Sequence, residues 1–366
     1  MHNEPTTLPA MPAGLTPDWL TAVLHDAGIG TTNTITAAER SQVGDGVGMM
    51  SELSRLTLTW STPDASLPAS LIAKYASTNP MNRQAAGSFH VYEREVRYFL
   101  EVDARTTART PRCYYARLEG DACLLLMEDL TGYRVGSQAD GSGLADTRLA
   151  IDELAKLHAP FWNNVSSFPW VPHVVNSYHA DAMIAMANGG WDNMVTVFAD
   201  HFPASVLANR NVILDAIPAM QAVMDQAPNT FIHGDYRADN LLFGQVPGQA
   251  PIVVIDWQGP MLCRGMVDVA LVLGQNTHIE VRREHERAIV RRYVDGLAAL
   301  GVEYPFTSAW EHYLDALAYQ WCYCATVTGS LDSSNPRSKA WMSGLIHRQV
   351  AATTDHDLLA RIRRFA

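Results

Sequence analysis

The hydrophobic period changes once along this chain of 366 residues, and that change limits the folds open to it. In the first third the period is two. Leu56, Leu58 and Trp60 alternate with Thr57 and Thr59, and Leu71-Ile72-Ala73-Lys74-Tyr75 is a second short run. Such alternation marks half-buried strands, and the stretch from Ser61 to Pro68, rich in Pro and Ser, fits a hairpin connection. Cys123 to Met127 forms another apolar strand, which Glu128-Asp129-Leu130-Thr131-Gly132 ends. Two helices flank these runs. One starts at Thr16-Pro17-Asp18 with a hydroxyl N-cap and ends at Gly28, and the other carries Tyr92, Val96, Phe99 and Leu100 on one face. From about residue 146 the period is helical, with Ala150, Leu154, Leu157, His158 and Phe161 on one face and long helical patterns after residue 278. A sheet followed by helices, in a chain too long for one small core, is an α+β architecture in two lobes. The expected division is a β-rich lobe over residues 1–130 and a helical lobe over 131–366, joined near 127–132.

Charge narrows the partners. The formal net charge is −11, which disfavours nucleic acid, whose phosphates need a basic face. Met1-His2-Asn3-Glu4 has no basic leader, and no run approaches the roughly 20 apolar residues of a membrane span, so a cytoplasmic protein without a membrane partner is expected. The five cysteines (113, 123, 263, 322 and 324) show no zinc spacing and read as buried thiols in a reducing compartment.

The chemistry concentrates in Phe231-Ile232-His233-Gly234-Asp235-Tyr236-Arg237-Ala238-Asp239-Asn240, followed by Ile252-Val253-Val254-Ile255-Asp256-Trp257. Phosphoryl transfer needs one carboxylate to orient and deprotonate the acceptor, and oxygen ligands that hold Mg²⁺ across the phosphates. Asp235 and Asn240, five positions apart in one loop, can place a base and a metal ligand on one side of a cleft. Asp256 ends a short apolar strand, where a carboxylate can meet a hard cation. Either aspartate alone reads better as a turn acid; order and spacing together favour the catalytic assignment.

This pattern, His-Gly-Asp, then Asn240, then an aspartate 16 positions on (256 − 240), is similar to the catalytic segment of the aminoglycoside phosphotransferase and choline kinase-like superfamily. The fuller text, through Asn240-Leu241-Leu242-Phe243 and Ile255-Asp256-Trp257-Gln258, most resembles the ecdysteroid-kinase-like branch. Leu154-Ala155-Lys156-Leu157-His158-Ala159-Pro160-Phe161-Trp162 and Arg264-Gly265-Met266-Val267-Asp268-Val269-Ala270 resemble it too. The resemblance covers roughly residues 40 to 345. It implies a bilobal protein-kinase-like fold, ATP and Mg²⁺ as cofactors, and transfer of the γ-phosphate to a hydroxyl of a small molecule.

It also implies roles in the first lobe. Gly44, Gly46 and Gly48 would let backbone N–H groups approach phosphate oxygens, although the cluster departs from the fuller glycine loop of protein kinases. Lys74 matches the lysine that contacts the α- and β-phosphates. Glu95 matches the acid that pairs with it, with Glu93 on the other flank of the same helix face. Met127 and Glu128 fall in the hinge whose backbone meets adenine, and Asp129 reads as structural. His233 would hold the catalytic loop, Asp268 would bond backbone amides, and His158 reads as a satisfied core residue.

Two rivals are weaker. A protein kinase would carry His-Arg-Asp, Asp-Phe-Gly and an activation segment, none of which stands here, and an idle nucleotide-binding scaffold would not keep every expected catalytic residue. The acceptor stays open among aminoglycosides, amino alcohols such as choline, and bulky apolar alcohols. Seven of nine Trp fall in the helical lobe. Such aromatics favour a neutral or apolar alcohol, with Trp162, Trp191 and Trp321 as candidate substrate contacts.

Overall fold

The computed structural model describes residues 8–9, 13–43 and 50–365. They fall into two compact units, one reaching to Arg105 and including Thr110–Gly132, the other comprising Thr106–Arg109 and Tyr133 onward. The short segment Thr106–Arg109, expected in the first lobe, goes with the second for a visible reason. Thr106 Oγ1 donates to the Lys156 carbonyl at 2.9 Å, and the Arg109 carbonyl accepts from the Val254 N–H at 2.8 Å.

The first unit is built on helix α1 (Pro17–Asp26), strands β1 (Ile35–Gln42), β2 (Ser51–Trp60) and β3 (Ser70–Ala76), helices α2 (Pro80–Ser88) and α3 (Val91–Arg97), and strands β4 (Cys113–Glu119) and β5 (Ala122–Glu128). Thr16 caps α1 by accepting from the Trp19 N–H. The alternating runs do give strands, and all five join one antiparallel sheet in the order β1-β2-β3-β5-β4. Its two faces bury separate clusters. Leu20, Val23 and Leu24 of α1 meet Leu56, Leu71, Ala73 and Leu124 on one, while Tyr92 and Val96 of α3 meet Leu125 and Met127 on the other. Leu100, expected on the apolar face of α3, is 63% exposed, because the chain widens into a π-turn at Tyr98–Val102 that rotates it outward.

The second unit holds β6 (Arg134–Val135), α4 (Leu144–His158), α5 (Tyr178–Val197), the short α6 (Ala204–Leu207), α7 (Arg210–Asp215) and α8 (Ile217–Met224), then β7 (Thr230–Ile232), β8 (Leu241–Phe243), β9 (Ile252–Val254) and β10 (Met261–Cys263). It closes with α9 (Met266–Leu271), α10 (Ile279–Ala299), α11 (Phe306–Ser330), α12 (Pro336–Asp355) and α13 (Leu358–Ile362). Two small sheets, β10-β7 and β6-β8-β9, sit among these helices. Helices α5 and α11 cross closely at a glycine pair: a Cβ on Gly329 would lie 2.3 Å from the Gly190 carbonyl oxygen. Beside that crossing the Trp191 and Trp321 rings pack at a tilt of 43°, with centroids 6.0 Å apart. Among the described residues no helix is long and apolar enough to cross a membrane, and all five cysteines are free thiols.

Candidate active site

Two short ladders frame the loop between Ile232 and Leu241. Strand β7, fully buried, pairs with β10 through Ile232 and Met261, and β8 pairs with β9 through Leu241 and Val254. The second ladder continues one step further, with the Ile255 N–H donating to the Asn240 carbonyl at 3.0 Å. Asn240 and Asp256, distant in sequence, thereby leave the sheet side by side.

His233 ties the two ends together. Its Nδ1 accepts from the Asp235 N–H at 3.2 Å, which makes Nε2 the donor to the Ile255 carbonyl at 3.0 Å. Asp268, at the start of α9, is almost fully buried and takes the His233 and Gly234 N–H groups on its two oxygens at 2.8 and 3.1 Å. These carboxylate–amide bonds brace the loop from below, so the amides that Asp268 serves are those of the loop. His158 is a satisfied core residue, bonded to the Tyr293 hydroxyl at 2.8 Å. Gly234 has φ +78°, and a Cβ there would sit 2.0 Å from the Gly259 carbonyl oxygen. Only glycine fits this position.

Both oxygens of Asp235 are engaged. Oδ2 accepts from Asn240 Nδ2 at 3.0 Å and from Arg237 Nε at 3.3 Å, and Oδ1 accepts from the Tyr323 hydroxyl at 2.5 Å. Burial above all, and then the Asp235 charge, push the Tyr323 phenol well above its usual pKa, so it stays a donor. Arg237 lies among acids. Burial opposes its charge, but Asp235, Asp239 and Asp256 outweigh that and raise its pKa. Its guanidinium also lies over the Trp341 ring at 5.4 Å. A carboxylate held in this way by Asn240 and Arg237 can accept a proton from a hydroxyl bound at its other oxygen.

The donor set beside it suits a hard cation. Asn240 Nδ2 spends its protons on the Asp235 backbone and side-chain oxygens, at 2.9 and 3.0 Å, which turns the amide oxygen away from Asp235. Asp256 has φ +65°, a left-handed backbone that costs of order 1–3 kcal/mol in a residue with a Cβ and that collects at functional sites. Among the described residues no cluster of three or more His, Cys, Asp or Glu side chains forms a closed metal cage. An amide oxygen and a carboxylate fit the other kind of site, where Mg²⁺ keeps waters and substrate phosphates as its remaining ligands.

In the first unit, Lys74 projects from β3, and its Nζ meets Glu95 Oε1 of α3 at 2.7 Å, both side chains being nearly buried. The choice between the two acids is thus settled. Glu93 instead pairs with Arg97 and His90, each at 3.2 Å on the surface. Met127 is buried at the end of β5, while the Glu128 N–H and Oε2 bond the carbonyl and N–H of Arg112 at 2.8 and 3.0 Å. Asp129 is structural, accepting from Arg55 and Ser70 at 2.7 Å each. Gly44, Gly46 and Gly48 lie outside the described residues.

Next to Asp235 opens a cavity of about 170 Å³. Met183 of α5, Met261 of β10, Val267 and Leu271 of α9, and Tyr319, Tyr323 and Val327 of α11 line it, with His179, Gly234, Asp235, Gly259, Asp268 and Gln320 as its polar and backbone edges. The three candidate tryptophans do not. Trp191 and Trp321 have essentially no exposed surface, and Trp321 Nε1 is spent on Thr353 Oγ1 at 3.0 Å. These two rings fill the α5–α11 core, where a large flat side chain buries most area. Trp162 is half-buried against Tyr304, 5.1 Å between ring centroids, and lies outside the cavity lining. Tyr323 and Arg237 were missed in the sequence. Tyr319, Tyr323 and Val327 recur every four residues, but that stripe looks the same as any core-facing helix.

The ecdysteroid kinase-like family profile matches residues 45–301, and the chain belongs to that family. It is a kinase-type phosphotransferase acting on a hydroxyl group. Among solved structures, the microcompartment-associated aminopropanol kinase is similar over 89% of this chain and 94% of its own, with a TM-score of 0.55 and 14% identity. The GDP complex of aminoglycoside 2'-phosphotransferase-IIIa is similar over 92% and 98%, with a TM-score of 0.53 and 14% identity. These likenesses are of fold, and they establish the α+β kinase-like architecture. No curated protein sequence matches the chain.

Proposed function

We propose that this protein transfers the γ-phosphate of ATP to the hydroxyl of a compact, neutral, apolar alcohol. The cavity that Asp235 lines carries the reading. An engineered apolar cavity of about 150 Å³ takes a benzene ring, so about 170 Å³ accepts a single ring or a short branched alkyl group next to the hydroxyl. Asp235 orients that hydroxyl and takes its proton as the oxygen attacks phosphorus. Asn240 and Asp256 are the assigned ligands of Mg²⁺, which when bound neutralises phosphate charge. Lys74, held by Glu95, serves the α- and β-phosphates, and Gly44, Gly46 and Gly48 offer backbone N–H groups. Met127 is paired with both neighbouring strands and the Glu128 N–H is spent on Arg112, so adenine falls to the rest of the hinge, up to Leu130. Residues 1–130 then act as the nucleotide lobe, and residues 131–366 carry the catalytic loop and the acceptor. Nucleotide use has support in the GDP held by the similar aminoglycoside phosphotransferase.

A polycationic aminoglycoside suits this cavity poorly. Its second carboxylate, Asp268, is committed to the His233 and Gly234 amides, which leaves Asp235 to meet every ammonium group. Desolvating an unpaired ammonium costs several kcal/mol, and 1.4 kcal/mol is a factor of ten. The test compares kcat/KM for a cyclohexanol-type alcohol, a hydroxysteroid, choline and a kanamycin-type compound under one set of conditions. The single-ring alcohol should exceed choline and the aminoglycoside by at least about 100-fold. An aminoglycoside phosphorylated efficiently while the apolar alcohols are inert would refute the acceptor class.

A further inference from the structure

The contact between Tyr323 and Asp235 has the chemistry of a substrate contact. The Tyr323 O–H of α11 donates to Asp235 Oδ1 at 2.5 Å, and both residues line the cavity. The other oxygen is held by Asn240 and Arg237. An alcohol bound in the cavity therefore finds Oδ1 already engaged by a hydroxyl on an apolar body. We propose that Tyr323 is a specificity-determining residue that occupies the place of the acceptor hydroxyl and so makes the enzyme choose alcohol over water.

The energetics favour that choice. A hydrogen bond to a charged group is among the stronger single contacts. Water entering this largely apolar cavity gains little from its apolar walls and exchanges one hydroxyl donor for another at Asp235. An alcohol with an apolar body makes the same exchange and also buries its body against Met183, Met261, Leu271 and Val327. Only the second ligand gains enough to move the phenol aside. Without the cap, water would reach Asp235 beside bound nucleotide. Its oxygen would then form the new bond to the γ-phosphorus, the bond from that phosphorus to the bridging oxygen of the departing nucleoside diphosphate would break, and the water proton would go to Asp235.

This inference rests on Asp235 as the base, and one set of variants separates the two. Acceptor-free ATP hydrolysis is measured for the wild type, Tyr323→Phe, Asp235→Asn and the double variant, with thermal melts alongside. Tyr323→Phe keeps the ring and its packing, and its hydrolysis should rise roughly tenfold, about what one hydrogen bond to a charged group is worth. The rise should vanish in the double variant. A 3-fluorotyrosine at position 323, a stronger donor of the same shape, should hydrolyse less than the wild type. Hydrolysis in Tyr323→Phe at or below the wild-type rate, or a rise that survives Asp235→Asn, overturns the capping role. If Asp235→Asn alone leaves transfer intact, the base assignment fails instead.

Discussion

Asp235→Asn should lower turnover by on the order of 10²–10⁴-fold while nucleotide binding stays near the wild-type value. The surroundings explain why the variant still folds. An asparagine can turn its carbonyl oxygen toward Asn240 and Arg237, the two donors on the Oδ2 side, and present its NH₂ to Tyr323. The Tyr323 hydroxyl then accepts instead of donating and turns its own proton toward the cavity, so the change loses one donor's partner and leaves no unpaired buried charge. The loss therefore falls on the proton transfer and on acceptor alignment, which are transition-state terms. Isothermal titration with a non-hydrolysable ATP analogue, run beside steady-state turnover, separates the two effects. Turnover within about threefold of the wild type would remove Asp235 from the role of base.

Asp256→Ala should act on the ground state. Its carboxylate is assigned to Mg²⁺, so its loss weakens binding of the metal–nucleotide complex itself and abolishes most turnover at ordinary Mg²⁺ concentrations. A shift of at least tenfold in the Mg²⁺ concentration needed for half-maximal nucleotide binding is expected, corresponding to about 1.4 kcal/mol. Asn240→Ala should shift it less, because a neutral amide oxygen gives less than a carboxylate and its Nδ2 also serves Asp235. Backbone strain supplies a control. Asp256 stands at φ +65°, a conformation that glycine adopts freely, so Asp256→Gly should be as stable as Asp256→Ala or more so and equally defective in metal dependence. An unchanged Mg²⁺ dependence in both variants would contradict the assignment.

What the sequence revealed and what it hid follow from how far apart the cooperating residues are. The loop from His233 to Asn240 and the strand ending at Asp256 are local, and their spacing survives translation into β7, β8 and β9. Lys74 was readable because a lysine within a short apolar run matches the family's phosphate-contacting lysine. Its partner was ambiguous, since Glu93 and Glu95 flank the same face of α3; only the side-chain packing sends Glu95 to Lys74 and leaves Glu93 with Arg97. The acceptor cavity was opaque for a different reason. Its walls come from α5, β10, α9 and α11, and Tyr323 reaches Asp235 across 88 positions of sequence. No periodicity marks such a wall. Trp191 and Trp321 drew attention by size, yet size is what fits them for the core between α5 and α11. The apolar character of the expected acceptor arises instead from methionines, aliphatic residues and two tyrosines.

Asp235 is proposed as the base that activates an alcohol, held in the adjoining apolar cavity, to take the γ-phosphoryl group of ATP. Mass spectrometry of products tests it most directly, with wild-type protein and Asp235→Asn each incubated with Mg·ATP and one library of single-ring alcohols, hydroxysteroids, choline and kanamycin-type compounds. The account predicts a phosphate ester on a neutral apolar alcohol, formed with equimolar ADP by the wild type and reduced to trace by Asp235→Asn. A phosphate ester found on the aminoglycoside alone, or formed equally fast by both proteins, would contradict it.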